Sequence, residues 1–110
     1  MVARGRSAGR LREYIMRLSF RIIGKVQGIG YRWFVKEAAA RHNVCGWVRN
    51  AADGSVEGEA QGPVPALDDF LKELKTGHVW AAVSGAETQE MLDSGDEETD
   101  FRIKQSEDRP

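Results

Sequence analysis

An arginine, a glutamine and three glycines fall within nine residues, GKVQGIGYR, from Gly24 to Arg32. Gly28 and Gly30 permit backbone angles that other residues avoid, so successive N–H groups can turn toward one point. The helical spacing that begins near Tyr31 adds the unpaired N–H groups and partial positive charge of a helix N-terminus. A cation in that first turn is ill-placed unless an anion lies beside it, and Arg32 stands there. Its planar fork suits two oxygens of a phosphate or a carboxylate. Together these groups describe an anion cradle, with phosphate as its natural occupant. A glycine-rich connection with a solvated arginine would use the same letters, and on these nine residues the two readings stand level. The spacing is not that of a Walker loop, GxxxxGK[ST], and the context is not the parallel βαβ unit of a dinucleotide fingerprint.

A second stretch, GWVRNAADGSV from Gly46 to Val56, sets one polar side chain among β-formers. Asn50 shares strand parity with Val48, which puts its carboxamide on an otherwise apolar side. A buried amide without partners is costly, so it must be used. It can brace the turn as an Asx-type cap, or it can hold a water molecule with one donor and one acceptor end.

The elements that carry these residues follow from periodicity. Leu18, Phe20 and Ile22 alternate with Arg17, Ser19 and Arg21, which predicts a half-buried strand over Arg17 to Ile23. Tyr31, Phe34, Val35, Ala38, Ala39 and His42 recur at helical spacing, and Asn43 suits the left-handed residue that ends a helix. Val44 to Asn50 and Val56 to Gln61 flank an Asp-Gly pair, the mark of a hairpin. Gly62-Pro63 breaks the second strand, and Pro65 can open a helix whose stripe is Leu67, Phe70, Leu71 and Leu74, with Gly77 as the stop. Val79 to Thr88 is a weaker strand, Met91 to Asp100 an acidic solvated loop, and Phe101 to Lys104 a short closing strand. The expected fold is α+β: a ferredoxin-like split βαβ of order β-α-β-β-α-β. Its antiparallel sheet carries both helices on one face, with a short extra C-terminal strand.

The whole chain limits the partners. Its 110 residues suffice for one compact core, and a net charge of -1 provides no basic field for nucleic acid. No apolar run is long enough for a membrane span. One cysteine, Cys45, excludes an internal disulfide, fits the cytoplasm and reads as a small buried hydrophobe. With two separated histidines, no metal-ligand cluster is visible and neither metal nor cofactor is expected. The arginine-rich residues 1–15 read as a mobile extension before a natural start at Met16, with the domain over 16–105 and a tail over 106–110.

The two stretches together resemble the signatures of the acylphosphatase family. GKVQGIGYR is similar to the first, with Ile29 where valine is usual and Tyr31 where phenylalanine is more frequent. The run from Gly46 to Gly62 fits the second at every spaced position, and the likeness extends from about Met16 to Lys104. The resemblance implies a metal-independent hydrolase of the carboxyl-phosphate bond, taking a small acyl phosphate and releasing carboxylate and inorganic phosphate. It implies that Arg32 binds the phosphoryl group with the N–H groups of Gln27, Gly28, Ile29, Gly30 and Tyr31, and that Asn50 positions the attacking water. Such modules also occur inside larger proteins. With no further domain in these residues, a stand-alone monomeric enzyme is the expectation.

Other residues draw structural readings. His42 belongs to helix-end packing, and His78 has no partner visible in the sequence. Trp33 lies off the main stripe, near the approach to the site or packed at its edge. Trp47 faces away from Asn50, and Asp53 serves its turn. An RNA-recognition motif shares the topology, but neither VCGWVRN nor SVEGEAQ supplies its aromatic, basic strand.

Overall fold

A computed structural model describes residues 14–92 and 99–107; most of the N-terminal extension and the centre of the acidic loop lie outside them. Five strands and two helices follow in the order β1 (Ile15–Lys25), α1 (Tyr31–Arg41), β2 (Cys45–Asn50), β3 (Val56–Pro63), α2 (Val64–Thr76), β4 (Ala82–Met91) and β5 (Phe101–Ile103). They form one sheet of order β4-β1-β3-β2-β5. This is the expected split βαβ with an added strand.

Alternation in β1 sends Leu18, Phe20 and Ile22 into the core, where they meet Tyr31, Val35, Ala38 and Ala39 of α1 and Leu67, Phe70 and Leu74 of α2. Phe20 and Phe70 pack edge to face with centroids 6.0 Å apart. On the opposite side of the sheet the same alternation places charge. Arg17 pairs with Glu59, Arg21 with Glu57 and Asp53, and Arg49 with Glu57. The arginines of β1 and β2 on this face are thus matched by carboxylates. Trp47 lies there between Arg49 and Lys104, whose ammonium is 4.4 Å from its ring centroid.

Several strand ends and one strand direction differ from the sequence expectation. The β3 ladder runs on through Gly62 and Pro63, which face Met16 and Ile15 of a longer β1. The fourth strand starts at Ala82, because His78–Ala81 closes a turn in which Ala81 N–H donates to the His78 carbonyl. Val79 and Trp80 have strand-like side chains yet stand exposed on that turn. The extra strand β5 pairs with β2 in parallel, through Gly46 to Phe101 and Val48 to Ile103, whereas every other pairing is antiparallel.

The helices are tied to each other by Glu73 of α2, which accepts from His42 Nε2 at 2.8 Å and pairs with Arg41. His42 therefore packs at the helix end, as its place on the stripe predicts, and Asn43 turns the chain at φ 57°. Partial burial raises the Glu73 pKa, but hydrogen bonds from His42 and Arg41 outweigh it and hold the carboxyl below its ordinary value of 4.5. A carboxylate with a lowered folded pKa stabilises the fold above its ordinary pKa and loses that contribution as pH falls through the lowered one. Glu73→Gln should cost about 0.5–1 kcal/mol near neutrality. In urea unfolding the gap between the two proteins should close as pH drops below 4.5. A gap that persists in acid would show that Glu73 acts by packing and not by charge.

Candidate active site

Topology brings the site together. β1 and β2 both run antiparallel to β3, so they point the same way and end at the same edge of the sheet. Ile22 and Asn50 flank Val56 on either side of it. The loop leaving β1 and the turn leaving β2 therefore meet. Because β5 runs parallel to β2, the chain beyond Ile103 arrives at that edge too.

The loop residues divide by direction. Val26 is buried and Ile29 packs against the core, which anchors the loop. Gly28 and Gly30 take φ of 79° and 77°. A Cβ at either would touch nothing within 4 Å, so conformation and not crowding requires glycine there. Gly30 is the N-cap of α1, with no side-chain cap and no acid in the first turn. The first intrahelical bond goes from Phe34 N–H to the Gly30 carbonyl at 3.1 Å. That leaves the N–H groups of Tyr31, Arg32 and Trp33 as orphan donors of a helix N-terminus.

Two loop side chains are engaged elsewhere. Gln27 Nε2 donates to the carbonyls of Ala51 and Ser55, each at 2.9 Å, and so ties the loop to the β2–β3 turn. What Gln27 has left for an anion is its backbone. The Tyr31 ring is buried against Phe34 and His78, and its hydroxyl donates to the Leu74 carbonyl in the last turn of α2. Burial pushes the phenol pKa far up, so it remains a neutral donor. That carbonyl accounts for a tyrosine at a position where the first signature more often has phenylalanine. His78, without a partner in the sequence reading, closes the same aromatic group and accepts from Trp80 N–H at 3.1 Å.

Arg32 and Asn50 line one cleft of about 220 Å3 with Val26, Gly28, Gly30, Tyr31, Trp33 and Ile103. Arg17, Arg21, Arg41 and Arg49 each have a carboxylate partner; among the described residues Arg32 has none. Its Nη1 reaches only the Ser106 hydroxyl, at 3.4 Å. The Asn50 carboxamide makes no hydrogen bond to another described residue. It does not brace the turn, because Asp53 does: Oδ1 accepts from the N–H and hydroxyl of Ser55, at 3.0 and 2.6 Å. Hydrogen bonds from Ser55 and the charge of Arg21 hold the Asp53 carboxyl below the usual range.

The family comparison follows this geometry. The family model described as acylphosphatase matches residues 18–103, which takes in every strand and both helices except the start of β1. The chain belongs to the acylphosphatase family. An acylphosphatase of Moorella thermoacetica is 41% identical over 92 residues, covering 84% of this chain and 97% of its own. Among solved structures, an acylphosphatase from Coxiella burnetii superposes with a TM-score of 0.76 at 30% identity, over 82% of this chain and 93% of that one. Full-length HypF, in a phosphate- and nucleotide-bound form, matches 96% of this chain with a TM-score of 0.78 at 28% identity, through only 13% of its own length. The acylphosphatase function goes with membership of the family.

Sequence reading missed the C-terminal strap of this acylphosphatase fold. After β5, Lys104 N–H donates to the Val48 carbonyl at 2.8 Å, and Glu107 N–H to the Asn50 carbonyl at 2.9 Å. Glu107 Oε1 then accepts from Ala52 N–H at 2.7 Å. Two residues assigned to a tail thus hold the Asn50 carbonyl and the Ala52 N–H through Glu107 and carry Ser106 to Arg32. The only signal was local: a serine and an acid just past a short strand, with nothing to say what they meet. Ending the chain after Lys104 should leave the Lys104 bond and the fold intact. It should raise KM about fivefold, the worth at about 1 kcal/mol of the Ser106 contact that Arg32 loses, the two Glu107 bonds holding only the turn. An unchanged KM would mean that the strap merely covers the site edge.

Proposed function

We propose that this cleft performs the acylphosphatase reaction through Arg32 and Asn50. Water attacks the phosphorus of an acyl phosphate, the phosphorus–oxygen bond to the acyl group breaks, and carboxylate and inorganic phosphate leave. Phosphoryl transfer through a loose transition state needs positioning and charge stabilisation more than covalent help. The Arg32 guanidinium takes two phosphoryl oxygens, and the N–H groups from Gln27 to Arg32 meet the others at the α1 N-terminus. Asn50 holds the attacking water, which loses its proton to a phosphoryl oxygen. The leaving carboxylate is a weak base and needs no acid.

The observation that carries this reading is that Arg32 and Asn50 line one cleft while, among the described residues, Arg32 has no carboxylate partner and the Asn50 carboxamide no hydrogen bond. The glycines at 28 and 30 and the uncapped helix start support it. We further place the enzyme in the cytoplasm as a monomer with no nucleic-acid or membrane partner. A single half-buried cysteine and a sheet face whose arginines are neutralised by carboxylates support that placement. No helix among the described residues is long and apolar enough to cross a membrane.

The test is hydrolysis of an aryl acyl phosphate with a chelator present, wild type beside Asn50→Ala. Activity in chelator that the substitution removes is the expected result. A wild type without activity would reduce the cleft to an anion-binding module.

A further inference from the structure

The last turn of α2 is held by α1 from both ends of that helix. Tyr31, the first residue of α1, sends its hydroxyl to the Leu74 carbonyl. Arg41, its last residue, and His42 beyond it both reach the Glu73 carboxylate. Glu73 and Leu74 are neighbours in sequence, so two ties from opposite ends of an 11-residue helix converge on one point. The Glu73 carbonyl already accepts from Gly77 N–H at 2.8 Å, and the Leu74 carbonyl is one of the acceptors that a helix end leaves without an intrahelical partner. Movement of α1 either way along its axis lengthens one of the two ties.

Packing beneath α1 does less to stop such movement. After Tyr31 its buried residues are Val35, Ala38 and Ala39, small side chains that make shallow ridges, and it is interdigitation that resists sliding. Tyr31 also links the tie to the cleft, since its own N–H is one of the orphan donors at the α1 N-terminus. Helix translations of about 1–2 Å are an ordinary motion of packed helices, and a misplacement of about 1 Å can cost a hundredfold in rate. We infer that Tyr31 and Glu73 are positioning residues, which together fix where the α1 N-terminus stands against the phosphoryl group. The inference rests on the placement of that group at Arg32 and the helix N-terminus. Because the two ties restrain one coordinate, either alone nearly suffices, and loss of both frees the helix.

Titration of the full chain with inorganic phosphate, followed by NMR at the Arg32 and Trp33 amides, tests this beside steady-state kinetics. Tyr31→Phe and Glu73→Ala should each weaken phosphate binding by no more than about twofold. The double variant should weaken it about tenfold or more, beyond the product of the two, with KM rising in parallel. Phe70→Leu, a core substitution away from both ties, should lower the urea midpoint and leave phosphate binding unchanged. Sucrose favours the folded state of weakened variants, and Tyr31→Phe with Arg41→Ala is a milder double that should show the same excess. A double variant that loses only the product of its singles, or loses stability alone, would overturn the positioning role. Equal weakening in Phe70→Leu would overturn it too, since any loss of stability would then have the same effect. An Arg32→Lys protein with unchanged phosphate binding would remove the phosphoryl placement and the positioning role together, a result separate from any in the Tyr31 and Glu73 series.

Discussion

Asn50→Ala should lower kcat about a thousandfold while inhibition by inorganic phosphate stays within about threefold of wild type. Positioning of reactants supplies up to about 7–11 kcal/mol of a barrier, and loss of one well-placed polar group costs about 10²–10³ in kcat. Among the described residues that line the cleft, no other side chain offers both a donor and an acceptor for the water. The remaining cleft side chains are one guanidinium and apolar surface, and the loop N–H groups are donors without an acceptor. The carboxamide is spared from structural duty, since Asp53 and Gln27 hold the turn. The strand bonds and the Glu107 contact at this position use the main chain, so the substitution keeps them. A folded Asn50→Ala protein with near-normal kcat would end the water-holding assignment.

Arg32→Lys should lower kcat/KM by about a hundredfold or more and weaken phosphate inhibition at least tenfold. Lysine keeps the charge but loses the fork that meets two oxygens at once, and the hydrogen bonds to a charged acceptor are the strong ones. Among the described residues Arg32 is the only cation lining the cleft, so no described neighbour substitutes for it. Arg32→Ala should lose more still, because it removes the charge as well. Kinetics with a phosphate-inhibition titration would measure both effects. If Arg32→Lys left KM and kcat unchanged, the two-oxygen contact would have to be withdrawn. Neither substitution should unfold the protein, since the Arg32 side chain makes one long contact, to Ser106.

Much of the fold was legible because its elements follow short-range rules. Period two in β1, period 3.6 in α1 and α2, the Asp-Gly turn and Gly77 all act within a few residues. Asn50 was legible through parity alone, since a strand alternates its faces and Val48 marks the inner one. The fourth strand was read three residues early because Val79 and Trp80 have β-forming side chains. Whether such residues pair depends on β1, sixty residues away in sequence, whose ladder reaches only to Ala82. The parallel direction of β5 was not legible for the same reason: direction is set by how the chain returns, not by three residues of FRI.

The site divides along the same line. Gln27, Gly28, Ile29, Gly30, Tyr31 and Arg32 were chosen as one group, yet the sequence did not say which of their side chains face an anion. Packing decided that: Ile29 and Tyr31 turn to the core, and Gln27 turns to the hairpin. Likewise Ser106, Glu107 and Ile103 joined the site only when β5 was laid along β2.

By itself the sequence determined the types of group in this protein, a flexible loop, one fork of charge and one amide, together with the local elements that carry them. Backbone conformation and amphipathic periodicity are properties of near neighbours, and near neighbours are written side by side. Tertiary structure decided which groups share a cleft, which carboxamide has no partner among the described residues and which apolar side chains line that cleft. Those are outcomes of long-range strand pairing, where a residue's partner is set by the whole sheet and is written nowhere near it.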